Sequence, residues 1–149
     1  MVCFKSQNQI HPLHYIFMDS ISLILKAHFL RLFQMALADN NFHELEVKHI
    51  YKIAKSKGIE RQELDRIILS PIDLNVLPDD DETILKYLYD LVCISMADGK
   101  VTEDEITIFN RYAGMFGYEE ENFSKIFDQL LTLVKSDTKR EDVYQILNN

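Results

Sequence analysis

Two short stretches of this chain carry oxygen donors at a spacing that can hold a hard cation. The first reads Ala38-Asp39-Asn40, followed by Glu44 and Glu46; the second reads Ala97-Asp98-Gly99, followed by Glu103 and Glu105. Each lies where one helically patterned apolar segment stops and another starts. The aspartate then stands beside the last carbonyls of a helix, which have no partner within it. The second glutamate falls in the first turn of the next helix, from which it can reach back to the same point. Carbonyl and carboxylate oxygens converging in this way are the donors that Ca²⁺, Mg²⁺ or Mn²⁺ take. The same residues have a plainer reading, because Thr102-x-x-Glu105 is a capping box in which Glu105 accepts only the amide of Thr102. The first stretch has His43 where Thr102 stands, yet keeps both glutamates. Cap and cation site both remain open at this point.

Other patterns that bear on chemistry fall short. Asp98 to Glu105 is similar to the end of an EF-hand loop, but the loop's first and third positions would be Ile94 and Met96, which cannot ligate. His43-Glu44 begins like a zincin motif, but the next histidine, His49, is out of register. Glu46-Val-Lys-His49 matches one half of a di-iron pattern, and its counterpart Glu105-Ile-Thr-Ile108 lacks the histidine. His11, His14 and His28 have no partner at ligand spacing and read as surface or satisfied side chains. No phosphate loop, nucleophile elbow or dinucleotide fingerprint occurs, so the chain is not expected to be an enzyme. Cys3 and Cys93 form no spacing motif; Cys93 reads as a small reduced core side chain.

The two acidic stretches belong to an internal repeat. An ungapped shift of 59 positions lays Leu32–Ile68 over Leu91–Phe127, pairing Asp39 with Asp98, Glu44 with Glu103, Glu46 with Glu105, Ala54 with Ala113 and Gly58 with Gly117. Leu32 with Leu91, Ala38 with Ala97, Glu60 with Glu119 and Ile67 with Ile126 are identical too, and apolar character is kept at Val47/Ile106 and Ile50/Phe109. Extended upstream, the copies span residues 25–68 and 84–127. In each, Leu25, Phe29, Leu32 or Ile84, Leu88, Leu91 repeat at helical spacing. Asn40 or Gly99 suits the left-handed residue that ends a helix, Gly58 or Gly117 closes the second helix, and Glu60 or Glu119 opens a third. Ser70-Pro71 and Pro78 separate the copies. The run Asp79–Glu82 belongs at a helix N-terminus, and Thr138-x-x-Glu141 reads as a capping box for a short last helix.

These elements must be positioned by an all-α fold of about seven helices, with two helix–acidic turn–helix repeats about a pseudo-twofold axis. At 149 residues, 47% hydrophobic and 27% charged, the chain suits one globular domain with a real core. Four glycines and three prolines are too few for a strand-rich fold. The net charge of −8 argues against nucleic acid or an anionic membrane surface and leaves cations or protein partners. Lys26, His28, Arg31 and Gln34 interrupt the apolar segment Ile21–Ala38 about once a turn, which suits an amphipathic helix better than a membrane span. With no leader pattern at the N-terminus, a cytoplasmic location is expected. Residues 1–17 are less patterned and read as an arm, leaving 18–149 as the domain.

At the two turns the sequence resembles the TerB family of tellurite-resistance proteins, which also supplies the N-terminal domain of a membrane-anchored DnaJ-type co-chaperone. The carrying residues are Ala38-Asp39 with Glu44 and Glu46, and Met96-Ala97-Asp98-Gly99 with Glu103 and Glu105. The tails Ile53-Ala54…Gly58-Ile59 and Tyr112-Ala113…Gly117-Tyr118 match as well, so that the likeness covers roughly residues 20 to 147. It implies an all-α fold and an acidic surface that binds divalent cations. It also implies a role in stress response, tellurite resistance or assembly of membrane-associated complexes. Carried onto this chain, the implied ligands are Asp39, Glu46, Asp98 and Glu105, with Glu44 and Glu103 behind them. Asn40-Asn41 departs from the Gly99-Lys100 of the second copy, which makes the first turn the less typical. The co-chaperone role needs a J-domain and is not implied.

Overall fold

The structure, a computed structural model, describes residues 12–38, 43–69 and 73–149, with side chains from residue 23 onward. Among them are seven α-helices and no strand: α1 Pro12–Ala36, α2 Glu44–Ser56, α3 Arg61–Ile68, α4 Asp81–Ser95, α5 Glu103–Met115, α6 Phe123–Lys135 and α7 Val143–Leu147. Single 3₁₀ turns at Glu120–Asn122 and Arg140–Asp142 lead into α6 and α7. The arm boundary expected at Met18 falls inside α1. Among the described residues no helix is long and apolar enough to cross a membrane.

Element ends repeat with the sequence shift. Helices α1 and α4 end 59 residues apart, and α2 and α5 both start and stop 59 residues apart. Gly58 and Gly117 have φ of +76° and +100°, and each closes its helix with the same pair of bonds. Ile59 N–H donates to Ala54 O and Gly58 N–H to Lys55 O; Tyr118 and Gly117 repeat this onto Ala113 and Gly114. This is the Schellman end that a glycine favours. Upstream of α4, Asp80 caps the helix by accepting the Thr83 amide at 2.8 Å, a bond that also holds its carboxyl below the usual range.

The expected capping box at Thr138 does not form. Asp137 takes the left-handed conformation, φ +56°, and the Thr138 amide turns back to Leu133 O. Thr138 therefore closes α6, and the Tyr89 hydroxyl donates to its carbonyl. Lys139 takes the N-cap position ahead with no side-chain bond.

The core is built on α1 and α4, which pack against each other. The α2 helix lies on both, α3 covers α1, and α6 and α7 cover α4; α5 reaches across to α1. Phe29, Leu32, Leu88, Leu91, Ile50 and Phe109 at its centre are wholly buried. Enclosure changes what the polar residues of α1 do. His28 and Arg31, which in sequence mark a polar face, are both 0% exposed, whereas Lys26 and Gln34 are half-buried. Arg31 donates to the carbonyls of Leu74 and Val76, 2.7 Å each, and lies over the rings of Tyr112 and Phe116. It thereby clasps the linker between α3 and α4. His28 stacks on Tyr87 with ring centroids 3.7 Å apart, and its Nε2 bonds Asp90 Oδ2 at 2.8 Å. Arg140 donates to the other oxygen of Asp90, also at 2.8 Å. Cys93 is a free thiol in α4; burial pushes its pKa up to about 12, so it stays protonated.

Burial pushes His28 down to about 4 against the opposing pull of Asp90, so at neutral pH it is an uncharged donor to the carboxylate. Burial alone would raise Asp90, but the bonds and charges of His28 and Arg140 outweigh it and hold the carboxyl low. The unfolded imidazole takes its proton near pH 6.5, the folded one only near 4. Acidification between these values therefore feeds protons to the unfolded chain, and stability complete above pH 6.5 is lost as pH falls. Unfolding free energies from urea titrations should drop by about 1–2 kcal/mol between pH 6.5 and 5. His28→Gln should be less stable at pH 7 but show a flatter decline, leaving the smaller same-signed contribution of half-buried His49. An unchanged slope in that variant would refute the assignment.

Candidate metal centre

Because α2 lies across α4, the start of one repeat's second helix meets the end of the other repeat's first helix. His43 occupies the N-cap position of α2 with extended backbone and makes no side-chain cap bond, which leaves its ring available to face outward from the helix end. Glu46 follows in the first turn and is 1% exposed. Opposite them, α4 unwinds through Met96 and Ala97 into Asp98 and Gly99, where Gly99 at φ +89° makes the turn that few other residues accept. Asp98 Oδ1 accepts the Lys100 amide at 3.1 Å, which fixes the carboxylate. Its Oδ2 lies 3.3 Å from His43 Nε2.

His43, Glu46 and Asp98 each present one donor atom, and the three atoms lie within 4.8 Å of one another. The group grades from the core outward: Glu46 is buried, the Asp98 side chain is 15% exposed and that of His43 is 40% exposed. A nitrogen and an oxygen 3.3 Å apart also match the edge of a tetrahedron of bonds about 2.0 Å long. One imidazole and two carboxylates form a donor set for a divalent ion, with solvent able to supply the remaining positions on the His43 side.

Of the residues singled out in sequence, Glu46 and Asp98 thus come together, one from each acidic turn. Glu105 makes the capping box with Thr102: its Oε2 accepts the Thr102 amide at 3.0 Å, and its own amide donates to Thr102 Oγ1 at 3.2 Å. Glu44 and Glu103 are exposed and outside the three-residue group. Asp39 lies outside the described residues. His43 is the donor that spacing missed. The usable signal was its place three residues before Glu46, on the same side of the helix start, where the second copy needs a threonine for its cap. No family model, curated protein or solved structure matches the chain.

The two copies have therefore taken different roles at one position, and substitution separates them. Thr102→Ala removes a cap and should lower stability by about 1 kcal/mol in ion-free buffer. His43→Ala removes only a half-exposed ring and should stay within about 0.5 kcal/mol of the parent under the same conditions. Chemical denaturation of both variants measures this, and equal losses would mean that His43 has a capping role after all.

Proposed function

We propose that this chain is a non-enzymatic, TerB-like binding module that holds a divalent cation through His43, Glu46 and Asp98. The observation carrying the proposal is the convergence of Glu46 and Asp98, which belong to different copies of the repeat. Their meeting is what a cation shared between two acidic turns requires. The imidazole narrows the ion. Calcium and magnesium favour oxygen ligands, whereas imidazole suits zinc and iron, and carboxylate with water suits manganese. A mixed set therefore favours Mn²⁺ or Zn²⁺ over Ca²⁺ or Mg²⁺. The resemblance at the turns supports a place in stress response, tellurite resistance or the assembly of complexes. It makes a protein partner the natural recipient of whatever the ion stabilises.

A second reading has its own support. The capping box at Thr102 and Glu105 is an acidic turn engaged in closing a helix, and a chain using both turns in that way would be a metal-free interaction module. Thermal melts of chelator-stripped protein distinguish the two. Mn²⁺ or Zn²⁺ at a hundredfold excess over its dissociation constant should stabilise the chain by about 2.7 kcal/mol, with Ca²⁺ giving less. Asp98→Asn and His43→Ala should each remove the shift. Identical melting in EDTA and in every ion would leave the metal-free module standing.

A further inference from the structure

We propose that the groove between α2 and the C-terminal half of α4 docks an acidic amphipathic helix of a partner protein. The inference goes beyond the cation reading and does not require an ion.

The groove encloses about 600 Å³. One wall is a single face of α2 running from Leu45 to Ser56, and the other is the α4 face that carries Cys93 and Met96, continued by Val134 of α6. The α2 wall is about 16 Å long, or three helical turns. Most of its lining is apolar, and Leu45 stands at one end 56% exposed. Lys48 and Lys52 line the α2 side and are both exposed, with Asp137 across the groove. In a chain of net charge −8, this is a local reversal of sign beside an apolar trough.

Two features select the occupant. The trough is more open than enclosed, so a small amphiphile would leave part of its chain in water, whereas such ligands are normally buried over most of their surface. A helix laid along three turns presents apolar anchors at helical spacing to the floor and carboxylates to Lys48 and Lys52. Charge complementarity therefore asks for an acidic partner.

The second copy of the repeat provides an internal comparison. Under the 59-residue shift, Ile53 and Cys93 correspond to Tyr112 and Gln34. Tyr112 is 1% exposed and its hydroxyl donates to Gln34, so side chains bridge the equivalent space between α5 and α1. Leu45 and Lys48 correspond to Asp104 and Thr107, which offer neither the anchor nor the charge, while Lys52 keeps its charge as Arg111. One copy keeps the trough open; the other fills it from within.

A displayed library of random 16-residue peptides, selected on the whole chain and followed by fluorescence anisotropy of the enriched peptides, tests the proposal. Enriched peptides should carry apolar residues at helical spacing flanked by Asp or Glu. Lys48→Glu with Lys52→Glu should weaken their binding at least tenfold, and Ile53→Tyr with Cys93→Gln, which copies the filled trough, should abolish it without lowering the melting temperature by more than a few degrees. If the filled variant does not fold, the charge-reversed pair decides alone, since both lysines are exposed. Basic peptides, no enrichment, or equal binding to the variants would overturn the proposal. Stabilisation by dodecanoate without any peptide, or sedimentation as a dimer lost on charge reversal, would give the groove to a small amphiphile or a second copy instead.

Discussion

Asp90 is the group on which the rest of this molecule leans. It sits 2% exposed in α4 and joins three separate parts of the chain: α4 itself, His28 of α1, and Arg140 in the turn before α7. A carboxylate taken out of water is costly, and it persists because both oxygens have charged or hydrogen-bonding partners. Removing one partner would leave one oxygen of the buried carboxylate uncompensated, at up to about 3–5 kcal/mol. The pairing of α1 with α4 is thereby fixed in register as well as in contact. Helices α2 and α5 then rest on an axis that does not slide, which matters because the candidate centre draws His43 and Glu46 from α2 and Asp98 from the end of α4.

The 59-residue shift matches much of the layout, and the paired positions differ in what their side chains do. Paired positions keep the same burial where packing decides: Glu46 and Glu105 are each 1% exposed, and Ile50 and Phe109 are both fully buried. They differ where a side chain can be spared. Thr102 closes its helix through a reciprocal box, while His43 at the matching place caps nothing and faces Asp98.

The helices, their glycine ends and the acidic start of α4 could be read from sequence because each follows from short-range rules: helical spacing of apolar residues, a positive φ at Gly58, Gly99 and Gly117, an N-cap at Asp80. What escaped depends on distant neighbours. His28 and Arg31 look like solvent-facing breaks in an apolar run, and only the covering of α1 by four other helices makes them internal. Thr138 has the residue types of a box, but a left-handed Asp137 commits its amide to α6 first. His43 was passed over because its partner Asp98 lies 55 positions away, and histidine motifs are sought at helical spacing.

The candidate centre and the groove are adjacent in the chain. Leu45, the exposed anchor at one end of the groove, lies between His43 and Glu46; Met96 and Ala97, on the opposite wall, immediately precede Asp98. An ion drawing His43 and Glu46 toward Asp98 would set the distance between those two walls at the end where the anchor stands. A helix seated in the groove would in turn hold the same two segments at one separation. Occupants that favour the same spacing raise each other's affinity by equal factors, because the coupling free energy is reciprocal.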